Sequence, residues 1–108
     1  MSIFKKINTQ NSSPVLEEQN SAEQFKCGVN FEFGYGVIED LDSAIYWYTK
    51  SAEQGNIKAQ AYLAWIYFEG KGIAKDYEKS VYWYSKAAKQ GDENAKFELL
   101  QISNLFKK

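Results

Sequence analysis

Two stretches of this chain are copies of one another. Gly34-Tyr35-Gly36-Val37-Ile38-Glu39-Asp40, followed by Tyr46-Trp47-Tyr48-Thr49-Lys50-Ser51-Ala52-Glu53-Gln54-Gly55, returns 36 residues later without a gap. The second copy is Gly70-Lys71-Gly72-Ile73-Ala74-Lys75-Asp76, followed by Tyr82-Trp83-Tyr84-Ser85-Lys86-Ala87-Ala88-Lys89-Gln90-Gly91. A fixed period of this length means stacked supersecondary units, none of which can bury its apolar face alone. The chain has 108 residues, so one domain with one continuous core is expected.

Punctuation places the units on helices. Glycine accepts the left-handed backbone that closes a helix, and Asn or Asp opens one by accepting a backbone N–H. Ser21 with Gln24 reads as a capping box for a first helix over 21–33, closed by Gly34 and Gly36. Asp40 caps a helix over about 41–54, closed by Gly55, and Asn56 one over 57–69, closed by Gly70 and Gly72. Asp76 caps a helix over about 77–90, closed by Gly91, and Asp92 opens a last helix over about 93–106. Repeat one is thus 21–56, repeat two 57–92, and helix 93–106 takes the first-helix position of a third repeat. Residues 1–20 form a polar segment, partly mobile or docked on the first helix. Within it, Ile3, Phe4 and Ile7 have helical spacing, and Ser13-Pro14 is a plausible helix start.

The apolar faces support pairing. Leu41, Ala44, Ile45, Tyr48 and Ala52 share roughly 100° of helical arc, as do Tyr77, Ser80, Val81, Tyr84 and Ala88. On helix 57–69, Ala59, Leu63, Ile66 and Tyr67 lie opposite Ala61, Ala64, Trp65 and Phe68, so burial on both sides is expected.

The pattern Ala59-x3-Leu63-Ala64-x2-Tyr67-x2-Gly70-x-Gly72-Ile73-x2-Asp76-x2-Lys79-Ser80-x2-Trp83-Tyr84-x-Lys86-Ala87-Ala88-x2-Gly91 resembles the Sel1-like repeat, a relative of the tetratricopeptide repeat. Glu23, Cys27, Gly28 and Phe31 begin a looser first copy, and the resemblance covers about residues 21–106. Cys27 stands where that family usually has leucine, which implies a less well packed first hairpin. The resemblance implies an all-α fold, an α-α superhelix of two helical hairpins with a C-terminal capping helix. It also implies a non-catalytic adaptor that binds another protein through its concave face. Phe25, Val29 and Phe33 would line that groove, with Ala61, Trp65 and Phe68 of the next repeat, and Phe97 and Gln101 would continue it. Two alternatives stay open at this point: residues 1–20 fold back over the row, or Trp65 is core.

Composition narrows the function classes. Net charge is −1, so no footprint for nucleic acid or an anionic membrane surface stands out. Histidine is absent, which removes the commonest general base and metal ligand. No nucleophile, base and orienting group converge, so an enzyme, a cofactor site and a metal site are not expected. The Gly-x-Gly loops lack the following Lys-Ser/Thr of a phosphate cradle. Glu39, Asp40 and Asp42 fall at a helix start, where caps belong. Trp47 and Trp83 read as packing residues, Tyr46 and Tyr82 as outward-facing. Cys27, the single cysteine, reads as a buried apolar residue in a reducing compartment. Lys5 and Lys6 precede no apolar run, so no signal peptide is expected, and a cytoplasmic location is. Narrower forms of the binding role are a bacterial immunity-type protein that neutralises a toxin, and a self-associating scaffold that forms a weak homodimer.

Overall fold

The computed structural model describes residues 20–107, and among these the chain forms five α-helices and no strand. They are α1 (Ser21–Phe33), α2 (Leu41–Glu53), α3 (Ile57–Glu69), α4 (Tyr77–Lys89) and α5 (Glu93–Leu105). Each helix packs on the next in sequence, giving two hairpins and a fifth helix in one stack, the all-α solenoid expected. Readings that fall on residues 1–19 lie outside the described residues.

Every helix start is capped by a short polar side chain. Asn20, Asn56 and Asp92 accept the backbone N–H of Glu23, Ala59 and Ala95, each at 2.9 Å. Asp40 and Asp76 do the same for α2 and α4. The capping box read at Ser21 and Gln24 is therefore corrected: Asn20 is the cap. Gln24 is 1% exposed and its amide oxygen accepts from Gln54 Nε2 at 2.6 Å. The same bond recurs one unit on, where Gln90 Nε2 donates to Gln60 Oε1 at 3.0 Å. A glutamine pair, one member buried and the other exposed, thus ties the start of the first helix to the end of the second in each hairpin.

The Gly-x-Gly loops close on the helix they leave. Gly34 and Gly70 adopt left-handed φ of 72° and 75° and donate to the carbonyls of Asn30 and Ile66. The loop then returns, so that Asp40 N–H donates to Phe31 O at 2.8 Å and Asp76 N–H to Tyr67 O at 2.9 Å. At Gly72 the loop lies against the first hairpin, and a Cβ there would stand 2.7 Å from Leu41 Cδ1.

The core runs through the stack as Ala44, Tyr48 and Ala52 of α2, Ala59, Leu63, Ala64 and Ile66 of α3, Trp83, Tyr84 and Ala87 of α4, and Ala95 and Ile102 of α5. Small residues let the helices approach closely. The closest approach is at Gly28, where a Cβ would meet Cδ1 and Cε1 of Tyr48 at 2.5 Å. Two expectations about faces fail. Tyr77 and Val81 are exposed although they belong to the apolar stripe of α4, while Trp83 and Ala87 are buried. Their counterparts Leu41 and Ile45 are half-buried because the second hairpin lies beside α2. Among the described residues no third hairpin covers α4, and Tyr77 packs instead against Phe68 and Phe106 at 5.3 and 5.5 Å. The second face of α3 is covered only in part: Ala64 is buried and Ala61 and Phe68 half-buried, but Trp65 is exposed.

The approach at Gly28 generates a prediction. Gly28→Ala forces apart α1 and the ring of Tyr48, which is itself held at 5.3 Å by Phe25. We expect a loss of about 1–3 kcal/mol, the usual cost of overpacking, read as a lower urea midpoint at unchanged slope.

Candidate functional site

Among the described residues the best-buried charge is the carboxylate of Glu32, 3% exposed, on the face of α1 that also carries Gln24 and Gly28. It is reached by donors from three other segments. Tyr48 of α2 donates to Oε1 at 2.6 Å, Tyr62 of α3 to both oxygens at 2.8 and 2.9 Å, and Lys71 of the second loop forms an ion pair with Oε2 at 2.5 Å. Burial alone would push the Glu32 carboxyl up, but the bonds from Lys71, Tyr48 and Tyr62 outweigh it and hold the group below its ordinary value. Burial and the same carboxylate push the hydroxyls of Tyr48 and Tyr62 up, so both stay protonated as donors. The Lys71 ammonium is raised by its bond to Glu32 and also lies 5.5 Å from the ring centre of Trp65 and 5.8 Å from that of Phe33.

Helical periodicity and capping patterns do not single out this cluster, although the sequence carries a signal of it. Position 32 breaks the repeat, since its counterpart 36 residues on is Phe68. A glutamate at an otherwise apolar repeat position needs a partner, and Tyr62 and Lys71 also differ from their counterparts Lys26 and Tyr35.

Beside the cluster lies a groove of about 470 Å³ between the first helices of the two hairpins and α5. One side is aromatic, formed by Phe25 of α1 and Ile57, Ala61, Tyr62 and Trp65 of α3. The other is polar, formed by Asp92, Asn94 and Glu98, with Tyr84 of α4 and Lys58 completing it. The sequence explains why the groove is open here. Between α1 and α3 the gap is filled by Phe25 against Tyr62, ring centres 6.5 Å apart. The counterparts of this pair between α3 and α5 are Ala61 and Glu98, too small and too polar to close it.

Of the residues expected to share a groove, Phe25, Ala61 and Trp65 do so. Val29 is half-buried against the core, and Phe68 packs beside Tyr77 near the far end of α3. Phe33 is exposed and stacks on Tyr35 at 5.7 Å. Phe97 and Gln101 are exposed on α5 and line no part of the groove; Asn94 and Glu98 face it instead. Cys27 is half-buried rather than buried, and burial together with Glu23 pushes its thiol up, away from a reactive thiolate. No group of three or more metal-ligating side chains occurs among the described residues, and no helix there is long and apolar enough to cross a membrane.

Two predictions follow from the carboxylate and its donors. Because the folded Glu32 carboxyl lies below its ordinary value of 4.5, its contribution to stability is present above that pH and lost as pH falls through the folded value. The gap in unfolding free energy between wild type and Glu32→Gln should be full at neutral pH and narrow below about pH 4.5. Tyr48→Phe should cost about 1–3 kcal/mol in chemical denaturation, since it removes a bond to a buried charge. Tyr84→Phe, at the counterpart position where no such bond exists, should change stability by less than about 0.5 kcal/mol.

Comparison with known proteins gives consistent relatives. The model of the Sel1 repeat matches residues 24–56 and 57–92. A protective antigen of uropathogenic Escherichia coli strains, displaying an SLR fold, is similar at 40% identity with a TM-score of 0.76, over 89% of this chain and 21% of that one. A Sel1 repeat protein from Oxalobacter formigenes is similar at 32% identity with a TM-score of 0.72, over 88% of this chain and 70% of that one. The chain thus spans about a fifth of the length of the E. coli antigen. Comparison with curated proteins returns no match.

Proposed function

Because the chain belongs to the Sel1 repeat family, whose repeats are generally protein-interaction modules, we propose that it binds a partner protein through the groove between α1, α3 and α5 and performs no catalysis. The observation that carries this reading is Trp65. It is 37% exposed on the aromatic side of a groove that the repeat leaves unfilled. Indole is a preferred anchor residue of protein interfaces, offering large contact area with few torsions to freeze. Phe25 and Ala61 stand beside it, so an apolar side chain entering the groove would be covered on more than one side.

Phe33, Phe97 and Gln101 lie outside the groove and serve at most as a wider rim. The lack of histidine and the raised thiol of Cys27 favour binding over chemistry.

Affinity capture from the native cell, quantified by mass spectrometry, tests the reading. A protein enriched on wild type should be lost on Trp65→Asp and kept on Phe97→Asp, with the helical circular dichroism of both variants unchanged. The same partner retained by Trp65→Asp would overturn it.

A further inference from the structure

We propose that the groove receives a lysine or arginine side chain of a partner protein segment, its cationic head at Tyr84 and Glu98 and its apolar neighbour against Trp65 and Ala61. This rests on the reading of the groove as a docking surface and adds the chemistry of what docks there.

Tyr84 is the first support. Its side chain is 5% exposed and lines the groove, where its hydroxyl oxygen is open to solvent and bonds to no described residue. A hydroxyl at a groove mouth can exchange its water for a group that enters. Its counterpart Tyr48 is bonded, to Glu32. In the second unit that glutamate is replaced by Phe68, so the same tyrosine is left with an unused polar atom at the groove.

Charge is the second. Asp92 and Glu98 stand on the polar side, and the Glu98 carboxylate has neither an ion pair nor a hydrogen bond among the described residues. The single cation of the lining, Lys58, is exposed at the start of α3. Burial, with Glu98 and Glu69 near, pushes the Tyr84 hydroxyl up to about 12, so it stays neutral and sits in a negative field. A cation is the group that field attracts.

The third support is that the fold already contains the finished arrangement. Between α1 and α3, Lys71 meets a carboxylate (Glu32), beside the hydroxyls of Tyr48 and Tyr62 and the ring of Trp65. Between α3 and α5 a carboxylate and a tyrosine recur as Glu98 and Tyr84 beside the shared Trp65, and among the described residues no lysine forms an ion pair with Glu98. The head of an entering lysine or arginine would reach the Tyr84 and Glu98 oxygens while its apolar neighbour covers Ala61 and Trp65.

A random peptide library displayed on phage, selected on the full chain and counter-selected on Trp65→Asp, supplies the probe. The enriched sequences should share a Lys or Arg next to an aliphatic or aromatic residue. The strongest such peptide, titrated by calorimetry, should weaken about tenfold or more on Glu98→Gln and several-fold on Tyr84→Phe, and equally when its cation is replaced by Met. Enriched peptides without a shared cation, or cationic ones that bind Glu98→Gln and Tyr84→Phe as tightly as wild type, would overturn the cation and leave the groove standing. A selection with no peptide sensitive to Trp65→Asp would overturn both.

Discussion

A carboxylate removed from water is among the most expensive things a small fold can contain, and this one is organised around such a group. Glu32 is tolerable only because α2, α3 and the second loop each deliver a donor to it. Alanine-rich helix faces fit together in more than one register. A slip of α2 or α3 along α1 would separate Glu32 from its donors and leave a buried charge unpaired. It also joins the two hairpins, since Glu32 and Tyr48 belong to the first and Tyr62 and Lys71 to the second.

Around this joint, the features that recur every 36 residues build the stack, and those that do not give each gap its character. Caps, loop closures and glutamine pairs recur, as at Gln24–Gln54 and Gln60–Gln90. Positions facing the neighbouring unit diverge. Phe25 becomes Ala61, Glu32 becomes Phe68, Tyr62 becomes Glu98, and the filled first gap turns into an open second one.

Helix boundaries were legible because glycine, Asn and Asp are tied to local backbone geometry: each observed helix begins where expected and ends within a residue of it. What depended on neighbours was not legible. Ser21 and Gln24 imitate a capping box, while the burial of Gln24 is decided by Gln54, 30 residues away. Tyr77 and Val81 share a stripe with Tyr84, but periodicity states which residues face one way and not whether anything covers them. Phe97 and Gln101 inherit the places of Ala61 and Trp65 by the repeat, yet the flank of α5 that lines the groove carries Asn94 and Glu98. Glu32 was passed over because a helical glutamate is ordinarily a solvated one.

The joint and the groove share a residue, and this bears on how well the groove can bind. Trp65 stacks on Tyr62, ring centres 5.6 Å apart, and Lys71 lies over its ring. Both supports are fixed in turn by the Glu32 carboxylate. An exposed aromatic held by its neighbours has already lost the rotational freedom that docking would otherwise remove. Part of that cost is therefore met before docking, although Trp65 is in contact with solvent. Tyr84 and Glu98 line the same groove, so a partner docked as proposed would meet the held aromatic surface together with oxygens that bond to no described residue. The repeat supplies the frame, and the loss of the Glu32 counterpart in its second copy leaves the Tyr84 hydroxyl turned to the groove rather than tied into the core.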